Sequence, residues 1–388
     1  MNTATIRPPH RHSTTRGLTL ISARALHQLD EHGEAWNGVT AKSEQGLPMS
    51  SFAWTRSHLE HFVGPETNWI VLFAYEGDML VGVLPLMLGR DLRHFGRVVA
   101  KAFSSDHTIC ADMSALPGRE RECIEFFLEC IDREAPGVID IEFPFITDSS
   151  PTYQLLIDSW PSHNTFARDW GQCGWLPCVG GFSNYQLQVD RELKKNLRQL
   201  NKRLTDTGRV SVSIVKSDDA EPSHFQRFVR LEPSGWKGNR ERSICSSGLT
   251  LSFYRVLTSR LQDLGWLEWH FMEIDGKDIA AQLAVRTGST LCLVKTAFDE
   301  NYRRFAPGKL LFEQTLKRAF EAPEIERVNC LGYGELYRPW NLSTHRFVEV
   351  HFIRKGIAGA LFRHFPLHLK SIRRGNNDRQ SDQQVSGE

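Results

Sequence analysis

The stretch LVKTAFDENYRRFAPGKLLFEQTLKRAF (293–320) decides the fold. An apolar run ends at Phe298, a polar loop follows, and Pro307-Gly308 opens a segment in which Phe312, Leu316, Ala319 and Phe320 recur at helical spacing. The pattern is strand, loop, helix. Upstream, LEWHFMEI (267–274) and DIAAQLAV (278–285) flank the turn Asp275-Gly276-Lys277, which predicts a hairpin. TLCLVKTAF (290–298) makes a third strand after Gly288, and ERVNCLG (326–332) reads as the strand that closes the unit. GLTLSFYRVLTSRLQDLG (248–265) precedes it as a helix, with Tyr254, Leu257, Leu261 and Leu264 on one face.

The same order occurs earlier. SFAWTRSHLEHF (51–62) reads as a helix, NWIVLFAYE (68–76) and MLVGVLPLML (79–88) as strands joined at Glu76-Gly77-Asp78, and RVVAKAF (97–103) as a third strand. Pro117-Gly118 then leads into a helix with Cys123, Phe126, Phe127 and Cys130 inward, and GVIDIEF (137–143) closes the half. The expected architecture is mixed α/β, in two similar halves. LTLIS (18–22) reads as an opening strand, and RFVEVHFIR (346–354) as a late strand without a counterpart in the first half.

A chain of 388 residues suits two cores rather than one. The 47 basic and 46 acidic residues nearly cancel, which argues against a global DNA-type polyanion binder and leaves room for a local basic patch. No window supplies the ~20 uncharged apolar residues of a membrane helix; the best, 69–88, is broken by Glu76, Gly77 and Asp78. Eight cysteines without a CxxC pair read as free, mostly buried thiols in a reducing cytoplasm. Residues 1–16 lack an apolar signal core and are expected to form a disordered arm, and 371–388 a disordered tail.

Chemistry concentrates at the Pro-Gly loop. The first turn of a helix leaves N–H groups unpaired at the positive end of its dipole, a natural cradle for phosphate. Arg303, Arg304 and Lys309 add positive charge, and Gly308 lets an anion approach the backbone. A Pro-Gly pair also simply starts helices. A Walker loop is excluded, because no glycine stands five residues before Gly308 and no Ser or Thr follows Lys309. Gly332-Tyr333-Gly334 lacks the third glycine of a dinucleotide fingerprint. His58 and His61 lack companion ligands and read as surface helix residues, so no metal site is expected. The segment 191–209 carries seven basic and two acidic residues, with Leu193, Leu197, Leu200 and Leu204 as an apolar stripe. It reads as a solvated helix face or as a local polyanion site. Trp170, Trp175, Trp236 and Trp340 are expected near cleft loops or in the core.

Three segments, LEPSGWKGNRER (231–242), KTAFDENYRRFAPGKLL (295–311) and GYGELYRPWN (332–341), resemble the acyl-CoA N-acyltransferase (GNAT) superfamily. They are most similar to its CelD-like branch of cellulose-biosynthesis acetyltransferases, which is related to the Fem peptidyltransferases. The resemblance implies tandem GNAT-like domains with a mixed, mostly antiparallel sheet flanked by helices. A degenerate domain would occupy 17–150 and the acyltransferase domain 151–370. It implies acetyl-CoA as donor, with the pyrophosphate held by Arg303, Arg304, Phe305, Ala306, Pro307, Gly308 and Lys309. The family's (Q/R)xxGxG/A loop is kept only in part as Arg304-Phe305-Ala306-Pro307-Gly308. Tyr337 is the implied acid for the departing thiolate, with Tyr333 nearby. Glu232 and Glu335 are candidate bases, Lys237 beside Trp236 a candidate acceptor-binding group, and Lys295, Asp299 and Tyr302 candidate cleft residues. The acceptor would be a small molecule or saccharide bearing an amine or hydroxyl, in exopolysaccharide or cell-envelope assembly. Two alternatives stay open, a Fem-like transferase using aminoacyl-tRNA and a non-catalytic binding protein on the same scaffold.

Overall fold

The computed structural model describes residues 12–13, 17–94, 96–110, 112–158, 160, 162–232 and 243–355. Trp236 and Lys237, the expected tail 371–388 and all of the expected arm 1–16 except 12–13 lie outside the described residues. The first half runs β1 (Thr19–Ala23), α1 (Gly33–Lys42), α2 (Phe52–Phe62), β2 (Asn68–Glu76), β3 (Met79–Asp91), β4 (Arg97–Ala102), α3 (Glu120–Glu134), β5 (Val138–Thr147) and β6 (His163–Pro177). The second runs α4 (Phe182–Gln188), α5 (Arg191–Thr205), β7 (Val210–Lys216), α6 (Pro222–Leu231), α7 (Gly248–Asp263), β8 (Leu267–Ile274), β9 (Lys277–Thr287), β10 (Thr290–Phe298), α8 (Pro307–Glu321), β11 (Arg327–Asn329) and β12 (Ser343–Arg354).

These strands form one continuous sheet in the order β1-β2-β3-β4-β5-β12-β6-β11-β10-β9-β8-β7, with the short strands His12–Ser13 and Ser114–Ala115 added to β1 and β3. Only β4–β5 and β10–β11 are parallel. A parallel pair needs a crossover, and α3 and α8 supply it. The order reads identically from either end. At the centre β12 pairs with β5 and β6 pairs with β11, so each half's last strand has crossed to the other half. The expected mixed α/β, mostly antiparallel architecture is therefore what forms.

Turn chemistry sets the hairpins. Asp275 and Gly276 both take positive φ, 49° and 79°, as a two-residue turn joining right-twisted strands requires. The late strand does have a first-half counterpart, β6, in the stretch 146–190 that reads from sequence only as a connection with strand-like segments in its later part. His58 is a correction of another kind. It is 2% exposed, bonded to Thr108 Oγ1 at 2.9 Å, and burial pulls it down to about 4, so it belongs to the core.

Helices cover both faces. α2 of the first half packs on α7 of the second, where Phe62 meets Phe253 at 4.8 Å and Arg260 reaches Ser57 and Glu60 at 2.8 and 2.7 Å. At Gly288, φ is 58° and a Cβ would lie 2.1 Å from the Ala41 carbonyl oxygen, so only glycine lets the β9–β10 turn dock on α1. The central seam buries a charge cluster. Asp140 Oδ2 lies 2.9 Å from His94 Nε2 and 2.7 Å from His351 Nδ1, while Glu142 accepts from Lys101 at 2.9 Å and Arg93 at 3.3 Å. Two overlapping triples, His94–Asp140–His351 and Glu142–Glu349–His351, each bring their ligand-type atoms within 4.8 Å of one another. Arg93 and Lys101 already balance the carboxylates there, as buried charge requires.

Candidate active site

Past Cys292 the sheet opens. β10 pairs with β11 only over Thr290–Cys292, whereas its pairing with β9 continues to Phe298. A register shift at Leu283/Ala284 turns β10 away from β11. The diverging stretch of β10 leads through the short 3₁₀ helix Glu300–Phe305 to Ala306, held left-handed at φ 46°. Ala306 is also the N-cap of α8 and has no capping side chain. Pro307 has no N–H, and the Lys309 and Leu310 amides turn back to the Ala306 carbonyl at 2.9 and 3.3 Å. Of the first four residues of α8, only the buried Gly308 has an amide with no partner among the described residues. The helix mouth thus offers one free donor where the sequence led us to expect several.

No acidic residue stands in the first turn of α8. Beside it lies a cavity of about 870 Å³, lined among others by Lys195, Asn196 and Gln199 of α5 and by Lys309, Arg338 and Asn341. The buried stripe Leu193, Leu197, Leu200 and Leu204 seats α5 in the same core as Phe305, Leu310 and Leu311, leaving its basic residues to the other side.

Tyr337, next to the cavity-lining Arg338, packs against the same core. Its ring packs edge-on against Phe312 at 5.1 Å and its hydroxyl bonds Thr296, on the diverging part of β10. Burial pushes the phenol well above its ordinary range, although the Thr296 bond pulls the other way, so it carries its proton at neutral pH. Cys173 and Cys330 are buried nearby, and burial drives both thiols upward, Cys173 to about 12. They are neutral here and poor nucleophiles.

Phe305, Ala306 and Tyr337 pack in one core, Pro307 and Gly308 are buried at the start of α8, and Lys309 lines the cavity, while the other candidates lie elsewhere. Arg303 is exposed and pairs loosely with Glu300 at 3.8 Å, and Arg304 stacks on Phe305 at 4.7 Å. Asp299 accepts from Lys277 Nζ at 2.7 Å and caps the Asn301 amide at 3.0 Å, an anchor for the hairpin end. Tyr302 stands beside that same Lys277, 5.3 Å from its ring. Glu232 accepts from Ser243 Oγ and from the Ile244 and Cys245 amides at 2.7, 2.9 and 3.2 Å. Both its oxygens are thereby committed to holding a turn. Glu335 is exposed and pairs with Arg338 at 3.0 Å, and Lys295 lies over the Tyr254 ring at 5.5 Å, on the α7 face of the sheet. Trp340 is core, and Trp175 stacks on His345 at 5.0 Å.

Behind Thr296 stands a buried polar row the sequence reading did not single out. His270, Gln282 and Thr296 are direct neighbours across β8, β9 and β10. Gln282 donates to Thr296 at 3.1 Å and accepts from Thr315 of α8 at 2.8 Å. Thr315 contacts His270 Nδ1 at 2.8 Å, and His270 Nε2 faces Glu268 at 3.1 Å. The available signal was Glu268 and His270 at alternate positions of a strand whose other residues are almost all apolar.

Residues 191–338 match a family model described as an acetyltransferase (GNAT) domain. Among solved structures, the chain is similar to FemX, at 10% identity and a TM-score of 0.60, covering 85% of this chain and 97% of that one. It is also similar to the C-terminal domain of a putative lysylphosphatidylglycerol synthetase from Agrobacterium fabrum, at 14% identity and a TM-score of 0.52, covering 86% and 94%. A conserved protein of unknown function from Bacteroides thetaiotaomicron gives 13%, 0.51, 83% and 97%. No curated protein matches the chain. The likeness to these structures is one of fold. Among the described residues, no helix is long and apolar enough to cross a membrane.

Proposed function

We propose that the second half is an acyltransferase that moves an acyl group, acetyl in the simplest case, from a coenzyme A thioester to an amine or hydroxyl. The observation that carries this reading is the placement of the protonated Tyr337 phenol on Thr296, at a sheet opening flanked by the uncapped mouth of α8. The free Gly308 amide and Lys309 would hold the donor's diphosphate, and the 870 Å³ cavity would receive the rest of its charged end. The unpaired edge of β10 past Cys292 would align the thioester. As the acceptor attacks, the C–S bond breaks and a C–N or C–O bond forms. The departing thiolate takes the Tyr337 proton, and the acceptor's proton returns to the phenolate through solvent. The CelD-like role in exopolysaccharide or cell-envelope assembly rests on sequence resemblance alone.

One observation favours a second donor. Lys195, Lys309 and Arg338 line the cavity together with Asp190 and Glu192, and the remaining basic residues of α5 lie beside it, a surface that would also suit the phosphates of an aminoacyl-tRNA. Thermal shift separates the two. Acetyl-CoA should raise the melting temperature by several degrees at millimolar ligand while uncharged tRNA does not. The reverse result would replace the thioester by an aminoacyl ester, and silence with both would leave a binding protein of other specificity.

A further inference from the structure

α5 carries two parallel rows of side chains. Leu193, Leu197, Leu200 and Leu204 are buried. Arg191, Lys195, Arg198 and Lys202 repeat the same steps of four, three and four residues, and all are exposed. The offset between the rows puts the basic one about 200° around the helix from the leucines, facing straight outward for roughly 16 Å along the axis. Like charges three and four residues apart repel, so the row weakens the helix unless something anionic covers it. The acids close by do not cover it. Among the described residues, none of the four side chains is in an ion pair or a hydrogen bond. Asp190 is spent on the Glu192 and Leu193 amides, at 2.6 and 3.3 Å, and Glu192 lines the cavity. Glu313 of α8 attracts Arg198 without forming an ion pair.

An apolar anchor stands beside this row. Lys194 Nζ donates to the Gln186 carbonyl at 2.9 Å, which fixes the end of α4 against the first turn of α5. Leu187, the next residue, is 79% exposed, and Val179, just before α4, is 78% exposed. α4 turns Phe182 and Tyr185 toward Phe320 of α8, at 5.9 and 5.3 Å, so Leu187, two residues past Tyr185, falls on its outer face. The transferase chemistry uses neither exposed side chain. We infer that the α4–α5 surface docks on an anionic membrane, with the basic row on the lipid phosphates and Leu187 set between the headgroups.

A bilayer fits this surface better than a nucleic acid does. Arg191, Arg198 and Lys202 lie outside the cavity, on a convex helix face rather than in a groove. Among the described residues, the exposed large apolar side chains include no aromatic ring on which a base could stack. An exposed leucine gains nothing against a phosphate backbone, whereas at a headgroup layer its burial adds to the charge attraction. Four basic groups in one patch are also what electrostatic attachment to anionic lipid takes. The inference stands apart from the transferase reading. Lys195 belongs to both the row and the cavity, so docking would set the cavity beside the bilayer.

The test is sedimentation of the full chain with vesicles of phosphatidylcholine, alone or mixed with phosphatidylglycerol. The protein should bind only the mixed vesicles and should come off as salt is raised. Arg191→Gln, Arg198→Gln and Lys202→Gln together should lower the partition coefficient about a hundredfold, at about fivefold per charge. Arg191→Lys with Arg198→Lys should leave it nearly unchanged, and Leu187→Ser should lower it severalfold with the same salt dependence. If the triple variant does not fold, Arg198→Gln and Lys202→Gln singly should each cost about fivefold. Wild-type protein that stays in solution with mixed vesicles, or a folded triple variant that binds them like the wild type, overturns the proposal. So does binding to uncharged tRNA, in place of vesicles, that the same three substitutions abolish; the row would then be an RNA site. Lys195, Lys309 and Arg338 stay intact in these variants, so coenzyme A calorimetry on the same samples reports on the transferase reading alone.

Discussion

Two Pro-Gly steps stand at equivalent places in the two halves, and only one is fit to meet an anion. α8 begins at Pro307 with no acidic residue in its first turn and with β10 diverging beside it. α3 begins after Pro117-Gly118 with Glu120 and Glu122 in its first turn. Arg119 there is tied to Glu122 at 2.6 Å and Glu76 at 3.0 Å, and Lys101 bonds Glu142 across β4 and β5. The interiors differ in the same sense. Both hairpins carry a register shift, after Ala74↔Gly82 in the first half and after Met272↔Ala280 in the second. Two residues inward from it stand Leu72 and Leu84 in the first half, His270 and Gln282 in the second. At this position one scaffold therefore holds a leucine pair behind an ion-paired mouth in the first half and a hydrogen-bonded His–Gln pair behind a mouth without acidic residues in the second. Topology alone does not confer a site; side chains at a few equivalent positions do.

The sharpest way to break this contrast is Tyr337→Phe. It should lower acyl transfer by about 10²–10⁴-fold, the usual range for losing a general acid, while coenzyme A affinity by calorimetry stays unchanged. Equal losses in both would mean that the ring only packs against Phe312. Next in size is Gly308→Val. A Cβ there meets nothing nearer than Phe298 at 4.0 Å, so the fold should hold while donor affinity drops about tenfold or more. Glu120→Gln at the first-half mouth should leave that affinity where it was. An unchanged affinity in folded Gly308→Val would remove the helix mouth from the site.

A smaller effect is expected where the halves dock. Gly288→Ala joins a positive φ to a close approach on Ala41 and should cost about 1–3 kcal/mol in denaturant titration. A wild-type midpoint would show that the contact relaxes freely. The gentlest probe is pH at the seam. Burial works to lower His351, but its bond and charge pairing with Asp140 more than offset this and raise it. That stabilisation is complete below the ordinary 6.5 and fades as pH rises through the raised value. Glu142 is held down to about 2, against the push of burial, by Lys101, His351 and Arg93. Its contribution is present above the ordinary 4.5 and is lost as pH falls through about 2. The melting temperature should therefore peak between these limits, and His351→Gln should flatten the decline above neutrality.

Much of this molecule could be read from its residues alone, because the second half obeys local rules. LEWHFMEI and TLCLVKTAF occupy β8 and β10 residue for residue, and the Asp-Gly turn chose its hairpin. β6, legible only as strand-like segments within the connection 146–190, and β7, not legible at all, were weak for a shared reason. Both carry much exposed or half-exposed surface, β6 over most of its length and β7 at the sheet edge, so neither shows a continuous apolar run. Asp299 and Glu232 looked like cleft carboxylates because spacing cannot distinguish a reactive oxygen from one already accepting backbone N–H bonds. The row from His270 to Tyr337 was out of reach for a deeper reason. Its members come from β8, β9, β10, α8 and the loop after β11, and only the folded sheet makes them neighbours.

The traded strands also shape how the chain can be made. While β12 is still being synthesised, the first half shows a bare β5 edge and β6 shows an unoccupied flank, each a template for a foreign strand. Neither half can seal itself, so a copy cut between them would expose sticky β edges rather than yield two small proteins. The last strand described is the latch that fastens both lobes at once, and with it the molecule commits to a single body.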